Sequence, residues 1–282
     1  MSATVVTFPE GAVTGEGTVQ YVVGDVVVLD ATPFHPVDHT WPDQPGDAGY
    51  LRSDDGAVPV EEAVMAAVDA GGAVFVGTDI PVKRGAEGWT WLVGHRLDGA
   101  RPAWLAPGVR VSAEVDAARR AALSRGHTAC HLSSLALDHA LADLWRKDPG
   151  VDPLGSPDFE ARANQTSSIR PDGSVDEYRL GKSLRKAGFD SEGFAATLGD
   201  RQDRINARLA EWVAAGGESR IVVEGPTITD RRTWQCTLPE GEVGFACGGT
   251  HVRSLSEFAS ITVELDLSDP QLLVMTTAAV PR

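Results

Sequence analysis

Cysteine is scarce in this sequence, and the long apolar runs of membrane proteins are absent. Three cysteines in 282 residues cannot form a disulfide framework, so we expect a reducing compartment in which cysteine stays available as a metal ligand. No window approaches the roughly 20 apolar residues of a transmembrane helix. Residues 1–11 lack a basic segment followed by an apolar run, so we expect no secretory signal. These absences predict a cytoplasmic protein without a membrane partner.

Positive charge is also limited, and it is unevenly distributed. The net charge of -15 argues against a protein that coats nucleic acid through bulk electrostatics. Residues 1–100 contain 4 Lys and Arg against 15 Asp and Glu, whereas residues 101–282 contain 21 against 25. Seven basic residues of the second part fall close together: Arg179, Lys182, Arg185, Lys186, Arg201, Arg204 and Arg208. A local phosphate-contacting face and ordinary solvated helix faces both fit this cluster.

The first hundred residues predict a small β domain. Short apolar and β-branched runs such as 19–30, 73–76 and 89–93 are bounded by glycine, which is typical of strands in a small barrel or sandwich. The segment 61–70 is the predicted helical exception. After Pro107-Gly108 the composition changes, so we predict a glycine-rich, β-barrel-like domain over residues 1–110.

A long helix is predicted to open the second domain, residues 111–282. Residues 112–147 contain no proline, and an apolar stripe begins near Val115 after a possible cap at Ser112. Gly126 can bend or split this helix. His127 and His131 fall in its middle and are expected to share one face.

The remainder of the second domain alternates helices and strands. Residues 148–174 are predicted to form a loop, and 191–215 a helix that ends at Gly216-Gly217. Four further segments have the composition of strands: 220–223, 233–238, 260–267 and 272–280. The predicted fold is therefore α+β, with helices packed on a mostly antiparallel sheet.

Two pairs of metal-seeking side chains stand at four-residue spacings. His127 and His131 form one pair, and Cys247 and His251 form the other, with Gly248 and Gly249 allowing a bend after the cysteine. Zinc accepts thiolate and imidazole ligands and is commonly held by two short ligand pairs from distant parts of a fold. The four residues therefore predict one Zn²⁺ per chain.

Several alternatives to a catalytic zinc stay open from the residues alone. An HxxxH pair on a helix is often two ordinary polar residues, and four protein ligands favour a structural zinc. A metalloprotease helix is excluded, because Thr128 stands where the general-base glutamate is required. Cys130 and Cys236 are expected to be small buried residues. His35 and His39 are close enough in sequence to suggest a second metal site.

The two motifs carry a family resemblance. His127-Thr-Ala-Cys-His-Leu132 and Cys247-Gly-Gly-Thr-His-Val252 resemble the paired motifs of AlaX-type trans-editing proteins, which are related to the editing domains of alanyl- and threonyl-tRNA synthetases. Val115-Asp116, Arg119-Arg120 and Glu257 also match that pattern. Residues 29–36 resemble the threonine-containing segment of the family, but the turn 41–47 lacks both family glycines and keeps only Gln44-Pro45.

The resemblance implies a trans-acting, zinc-dependent aminoacyl-tRNA hydrolase. Its substrate would be the ester of a mischarged tRNA, Ser- or Gly-tRNA(Ala), bound through the acceptor end. His127, His131, Cys247 and His251 would hold the zinc, which either activates water or orients the substrate.

Two residues of the first domain complete the predicted site. Thr32 is the candidate for reading a substrate hydroxyl, although a turn role ahead of Pro33 is an equal alternative. Gln44 would position substrate or water, or stabilise its loop. In the second domain, Arg125, Arg185 and Lys186 are the candidate phosphate contacts.

Three other functions remain as alternatives. The altered 41–45 turn favours a specialised deacylase for an unusual amino acid such as fluorothreonine. A noncatalytic, zinc-stapled protein that binds tRNA or a partner belongs to a different class. Hydrolysis of a free small ester or amide would show no dependence on tRNA.

Overall fold

The apolar runs of the first part form strands, as predicted, in a computed structural model that describes residues 2–282. Nine strands precede the first helix: β1 (Val5–Val6), β2 (Thr14–Val23), β3 (Val26–Leu29), β4 (Ala31–Thr32), β5 (Gly49–Ser53), β6 (Gly56–Val68), β7 (Val74–Val76), β8 (Thr90–Leu97) and β9 (Arg110–Val115).

Six of these strands pair in a ring. They follow the order β5-β9-β2-β3-β8-β6, and β5 also pairs with β6, so the order returns to its first strand. All six pairings are antiparallel. Each strand contributes at least one side chain to a common buried cluster, which includes Val19, Val27, Leu51, Met65, Val93 and Val111. Burial of these apolar side chains drives the pairing of strands that are distant in sequence.

The helix predicted over residues 61–70 is wrong, because most of this segment lies in β6. Residues 63–68 are all buried, so both faces of the strand are covered and the alternation that identifies a half-exposed strand is lost. Pairing with β5 and β8 outweighs the helix propensity of its alanine and glutamate residues.

The second part combines five helices with seven strands. The helices are α1 (Ala117–Ala140), α2 (Glu160–Ala163), α3 (Lys182–Ala187), α4 (Ser191–Ala196) and α5 (Leu198–Ala215). The strands are β10 (Asn164–Arg170), β11 (Gly173–Arg179), β12 (Ser219–Val223), β13 (Arg232–Leu238), β14 (Gly241–Ala246), β15 (Phe258–Asp269) and β16 (Leu272–Pro281).

These strands form two sheets, in the orders β10-β11-β16-β15 and β12-β13-β14. Helix α5 lies against β15, where the Asn206 side chain accepts the Val263 N–H at 2.7 Å and donates to the Val263 carbonyl at 3.1 Å. The chain is therefore a mixed α and β protein with mostly antiparallel sheets. The loop predicted over 148–174 is partly wrong, since β10 occupies 164–170 and β11 begins at Gly173.

Helix α1 begins later than predicted. Ser112, the predicted cap, and Val115 lie in β9, where exposed and buried residues alternate. Asp116 takes the capping role, because its Oδ1 accepts the Arg119 N–H at 3.0 Å. The helix ends at Ala140, short of the predicted Lys147.

Gly126 neither ends nor splits α1. A Cβ at this position would lie 2.3 Å from the carbonyl oxygen of Arg170 and 2.5 Å from that of Gly173. Glycine is therefore required because the connection between β10 and β11 approaches the helix. This close approach fixes the turn of α1 that precedes His127.

Contacts divide the chain into two units. One contains residues 1–121, 221–233 and 246–250, and the other contains 122–220, 234–245 and 251–282. The division predicted at 110/111 stays a prediction. Within residues 2–282, no helix combines the length and the apolarity that crossing a membrane would need.

Candidate metal centre

His127 and His131 share one face of α1, as their spacing predicts. Their ring centroids are 4.8 Å apart, and His127 is 2% exposed. His131 stacks against Phe245 at 5.2 Å and lies 5.0 Å from the ring of Trp234. Burial lowers the pKa of His131 to about 4, so its imidazole is neutral at pH 7, as a metal ligand must be.

His251 lies beside these two rings and is oriented by Thr128. Its ring centroid is 4.4 Å from that of His127 and 5.2 Å from that of His131. The fully buried Thr128 hydroxyl lies 3.1 Å from His251 Nδ1 and accepts the Val252 N–H at 3.2 Å. The Nδ1 contact leaves Nε2 as the ring nitrogen that can face a metal.

Cys247 is held by hydrogen bonds of the backbone around it. Its N–H donates to the Arg232 carbonyl at 3.1 Å, and the Gly249 N–H points at its Sγ at 3.5 Å. Burial raises the pKa of the thiol to about 12. A bound cation would favour the thiolate, because coordination deprotonates a thiol.

The four predicted ligands come together. The ligand atoms of His127, His131, Cys247 and His251 all lie within 4.8 Å of one another. Ligands of a tetrahedral zinc, at about 2.0–2.3 Å from the metal, are about 3.3–3.8 Å apart. The buried Nε2 of His131 has no hydrogen-bond partner, which is costly unless a ligand binds it. Donor chemistry and spacing therefore fit a metal ion.

Gln44 makes a two-point contact next to this cluster. Its Nε2 donates to Thr250 Oγ1 at 2.9 Å, and its Oε1 accepts the Thr250 N–H at 3.0 Å. Gln44 is 1% exposed. The amide thus ties the 41–47 turn to the residue that directly precedes His251.

Thr32 is buried and its hydroxyl is oriented by His95. Burial lowers the pKa of His95 to about 4, so the ring is neutral. Its Nδ1 lies 2.9 Å from the Val27 carbonyl, which can only accept, so Nδ1 carries the proton and Nε2 accepts. Thr32 Oγ1, 2.8 Å from Nε2, is therefore the donor, and it accepts the Phe34 N–H at 3.2 Å.

Two proteins of known identity match most of the chain. Alanine–tRNA ligase from Frankia alni is 37% identical over 257 residues, which are 89% of this chain and 24% of the ligase. Alanine–tRNA ligase from Frankia casuarinae is 38% identical over 242 residues, which are 83% of this chain and 22% of the ligase. The chain is related to alanine–tRNA ligase. This relationship confirms the resemblance that the paired motifs indicate.

The similarity covers only part of the ligase. The chain spans about a quarter of the length of these relatives. No family model matches it.

The predicted phosphate contacts have different surroundings. Arg125 is paired with Asp172, and its side chain is 17% exposed. Arg185 and Lys186 are exposed in the last turn of α3, where Arg185 donates to the Leu180 carbonyl at 3.1 Å.

Two of the other clustered arginines are held by ion pairs. Arg201 is buried against Asp143, and Arg208 pairs with Glu240. These ion pairs give both residues a structural role. The cluster is therefore not a uniform phosphate-contacting face.

The histidines considered for a second metal site contact different groups. His35 packs edge-on against Phe8 with ring centroids 5.0 Å apart. His39 Nε2 lies 2.9 Å from the Val82 carbonyl, and its ring lies 5.4 Å from that of Trp91. Both histidines pack against aromatic rings of the first part, and neither belongs to the group of potential metal ligands found among residues 2–282.

Three roles could not be identified from the sequence alone. In the sequence, Thr128 only excludes a protease, and no pattern distinguishes His95 or Thr250 from other residues of their types. Their partners are 123, 63 and 206 residues away along the chain. The one sequence feature that indicates a role for Thr128 at the metal centre is its position between two ligands on one helix.

The Thr128 hydroxyl provides a testable contribution to metal affinity. We expect Thr128→Val to weaken zinc binding by about 10- to 100-fold, because the residue that orients a metal-binding histidine is lost. Competition with a chromophoric chelator measures the change. Thr128→Ser, which keeps the hydroxyl, is the matched control, and an unchanged affinity in the valine variant would contradict the assignment.

Proposed function

We propose that this chain is a zinc-dependent, trans-acting aminoacyl-tRNA deacylase that hydrolyses Ser- or Gly-tRNA(Ala). The observation that carries the proposal is the cluster of three histidines and one cysteine in a chain related to alanine–tRNA ligase. Residues 111–282 would form the editing domain. Residues 1–110 would form the barrel-like domain, which the ring of strand pairings supports. The activity would operate in the cytoplasm.

The reaction demands little covalent chemistry from the protein. Water adds to the carbonyl carbon of the aminoacyl ester, the bond to the ribose oxygen breaks, and that oxygen takes up a proton. The side chains must exclude bulk water, place the ester and select the amino acid. A bound zinc supplies Lewis acidity at such a site. His127, His131, Cys247 and His251 would hold it.

Four protein ligands constrain where the attacking water can be activated. Catalytic zinc usually keeps one position for water or substrate, so activation at the metal requires five-coordination or loss of a ligand. Otherwise the metal orients the substrate and water is activated elsewhere. Gln44 contributes in either case as a positioning residue, because it holds Thr250 beside His251.

Thr32 is the proposed reader of the amino-acid side chain. The Thr32 hydroxyl donates a hydrogen bond to His95 and accepts one from the Phe34 N–H. The second lone pair of Oγ1 can therefore accept a hydrogen bond from a substrate hydroxyl. Serine supplies that donor and alanine does not. The arrangement supports hydrolysis of seryl-tRNA, whereas alanyl-tRNA would stay intact.

We expect Thr32→Val to lower kcat/KM for seryl-tRNA by about 10- to 100-fold, which corresponds to one lost hydrogen bond in a buried site. Hydrolysis of glycyl-tRNA, which offers no side-chain hydroxyl, should change much less. Thr32→Ser keeps the hydroxyl and controls for packing, and thermal unfolding verifies the fold of each variant. Equal losses on both substrates would contradict a reading role.

The altered 41–47 turn favours a second candidate within the same chemistry. Gln44 is fixed to Thr250, while Trp41 is 50% exposed in the part of the turn that departs from the family pattern. A deacylase for an unusual amino acid such as fluorothreonine would use this change. A deacylation panel of seryl-, glycyl-, threonyl- and fluorothreonyl-tRNA separates the two candidates. Preference for seryl- or glycyl-tRNA(Ala) supports the first.

The exposed α3 residues are the proposed contacts to the tRNA backbone. We expect the double variant Arg185→Gln, Lys186→Gln to weaken binding of every tRNA tested and to reduce the dependence of affinity on salt, because contacts to phosphates release counterions. Filter binding across a salt series measures both. An unchanged salt dependence of the affinity would show that α3 does not contact the tRNA phosphates.

A further inference from the structure

We propose that an arginine-lined pocket beside Cys247 binds the phosphodiester group next to the terminal nucleoside of the tRNA. The cavity has a volume of about 170 Å³ and is lined by Arg84, Thr229, Asp230, Arg231, Arg232, Ala246, Cys247 and Gly248. This inference rests on the proposed function, since it names the part of the substrate that the pocket receives.

The buried member of the pocket is Arg232, which is 6% exposed. Its Nη2 donates to the Ile228 carbonyl at 3.1 Å, and its guanidinium lies 5.2 Å from the ring centre of Phe8. Its buried Nε has no hydrogen-bond partner. Among the ion pairs of the described residues, none involves Arg232. A buried cation without an anion is costly, so this position favours an anionic ligand.

The second arginine converges on the same point. A Cβ at Gly248 would lie 3.6 Å from Arg84 Nη1 and 3.8 Å from Arg232 Nη2. The two guanidinium groups therefore approach one glycine, the residue that follows Cys247. Burial, and next the charge of Arg84, lower the pKa of Arg232 to about 10, and Arg232 still carries its charge at pH 7.

The acidic groups near these arginines already have partners. Asp38 pairs with Arg84 Nη1 at 3.0 Å. Asp230 accepts the Thr227 N–H at 2.7 Å and the Thr227 hydroxyl at 2.8 Å. Arg231 adds a third, exposed positive charge at the pocket. Asp43 is a third carboxylate near Arg84 and Cys247, and its pKa is raised to about 6, mainly by burial. Three arginines therefore face three carboxylates, and Arg232 is the buried arginine that forms an ion pair with none of them.

A phosphodiester fits this pocket in chemistry and position. Planar guanidinium groups bind phosphate oxygens through paired hydrogen bonds. The pocket adjoins a proposed metal ligand, and the last phosphodiester of the tRNA lies one nucleoside from the ester that is hydrolysed. Binding there would hold the terminal nucleoside at the metal centre.

The test compares two small seryl esters that differ by this one group. Seryl-adenosine lacks the phosphodiester, and the seryl ester of the dinucleotide CpA contains it. For the unaltered protein we expect kcat/KM to be at least tenfold higher for the CpA ester. The exposed double variant Arg84→Gln, Arg231→Gln should lose this ratio, whereas the adjacent Lys83→Gln should retain it. A ratio near one in the unaltered protein, or a ratio unaffected in the double variant, overturns the proposal.

Binding gives a second measurement that does not depend on turnover. CpA without an attached amino acid is titrated against the protein. Inorganic phosphate is added as a competitor, and strong competition would indicate a site for the free ion. We expect at least a tenfold weaker Kd for CpA in the double variant and little competition by millimolar phosphate. Equal CpA affinity in both proteins refutes phosphodiester binding in this pocket. If CpA binds as expected but no ester is hydrolysed, the proposed function fails and the pocket stands.

Discussion

We expect His251→Asn to lose the metal and to hydrolyse seryl-tRNA at least about 1000-fold more slowly than the unaltered protein. Asparagine can still approach Thr128, which lies 3.1 Å from His251 Nδ1, but it lacks an atom equivalent to Nε2. The Lewis acidity of a bound metal contributes several kcal/mol, and each 1.4 kcal/mol corresponds to a factor of ten in rate. Elemental analysis and single-turnover deacylation measure the two effects.

His139→Asn is the matched control, because His139 is an exposed histidine on the same helix and is not part of the ligand cluster. It should keep one zinc per chain and normal hydrolysis. Circular dichroism distinguishes loss of catalysis from loss of folding in the His251 variant. Full activity of a metal-free His251→Asn protein would show that the cluster is not the catalytic centre.

The largest loss of stability is expected from breaking the buried ion pair between Arg120 and Asp47. These residues are 5% and 1% exposed. Arg120 Nε lies 2.7 Å from Asp47 Oδ1, and Arg120 Nη2 donates both to Asp47 Oδ2 and, at 2.8 Å, to the Pro33 carbonyl. Asp47 also accepts the His35 N–H at 2.5 Å. The pair thus connects the segment that contains Thr32 with the 41–47 turn that contains Gln44.

We expect Asp47→Ala or Arg120→Met to lower the free energy of unfolding by about 3–5 kcal/mol, because either change leaves an uncompensated buried charge. The double variant should lose less than the sum of the single losses. Arg52→Met, which breaks an exposed pair with Glu114, is the control and should cost about 1 kcal/mol or less. Urea unfolding measures all four variants. Losses as small as that of Arg52→Met would refute a structural role for the buried pair.

The four-residue spacing is sufficient to predict the two ligands of the metal cluster that lie on α1. His127 and His131 are four residues apart in a proline-free segment, and a helix necessarily aligns such residues. The predicted cap at Ser112 is wrong, because residues 110–115 alternate between exposed and buried positions in β9. Residues 61–70 were mispredicted because contacts with two other strands, not local propensity, determine their conformation.

The contacts that orient the site could not be predicted in this way. Thr32 depends on a histidine whose tautomer is set by the Val27 carbonyl, and Gln44 depends on Thr250 at the far end of the chain. The Nε of Arg232 lacks a hydrogen-bond partner because the side chain is buried against Phe8 and the 227–228 backbone. Each is a product of tertiary packing between segments that no short motif connects.

Selective deacylation is tested by comparing two esters that share one tRNA and differ only in the amino acid. The purified zinc-loaded chain is incubated with Ser-tRNA(Ala) and with Ala-tRNA(Ala), and release of the amino acid is followed against spontaneous hydrolysis. We predict that serine is released at least about 100-fold faster than alanine, because only serine offers the hydroxyl that Thr32 can accept. No release above the spontaneous rate, or equal release of both amino acids, would contradict a deacylase that selects serine through Thr32.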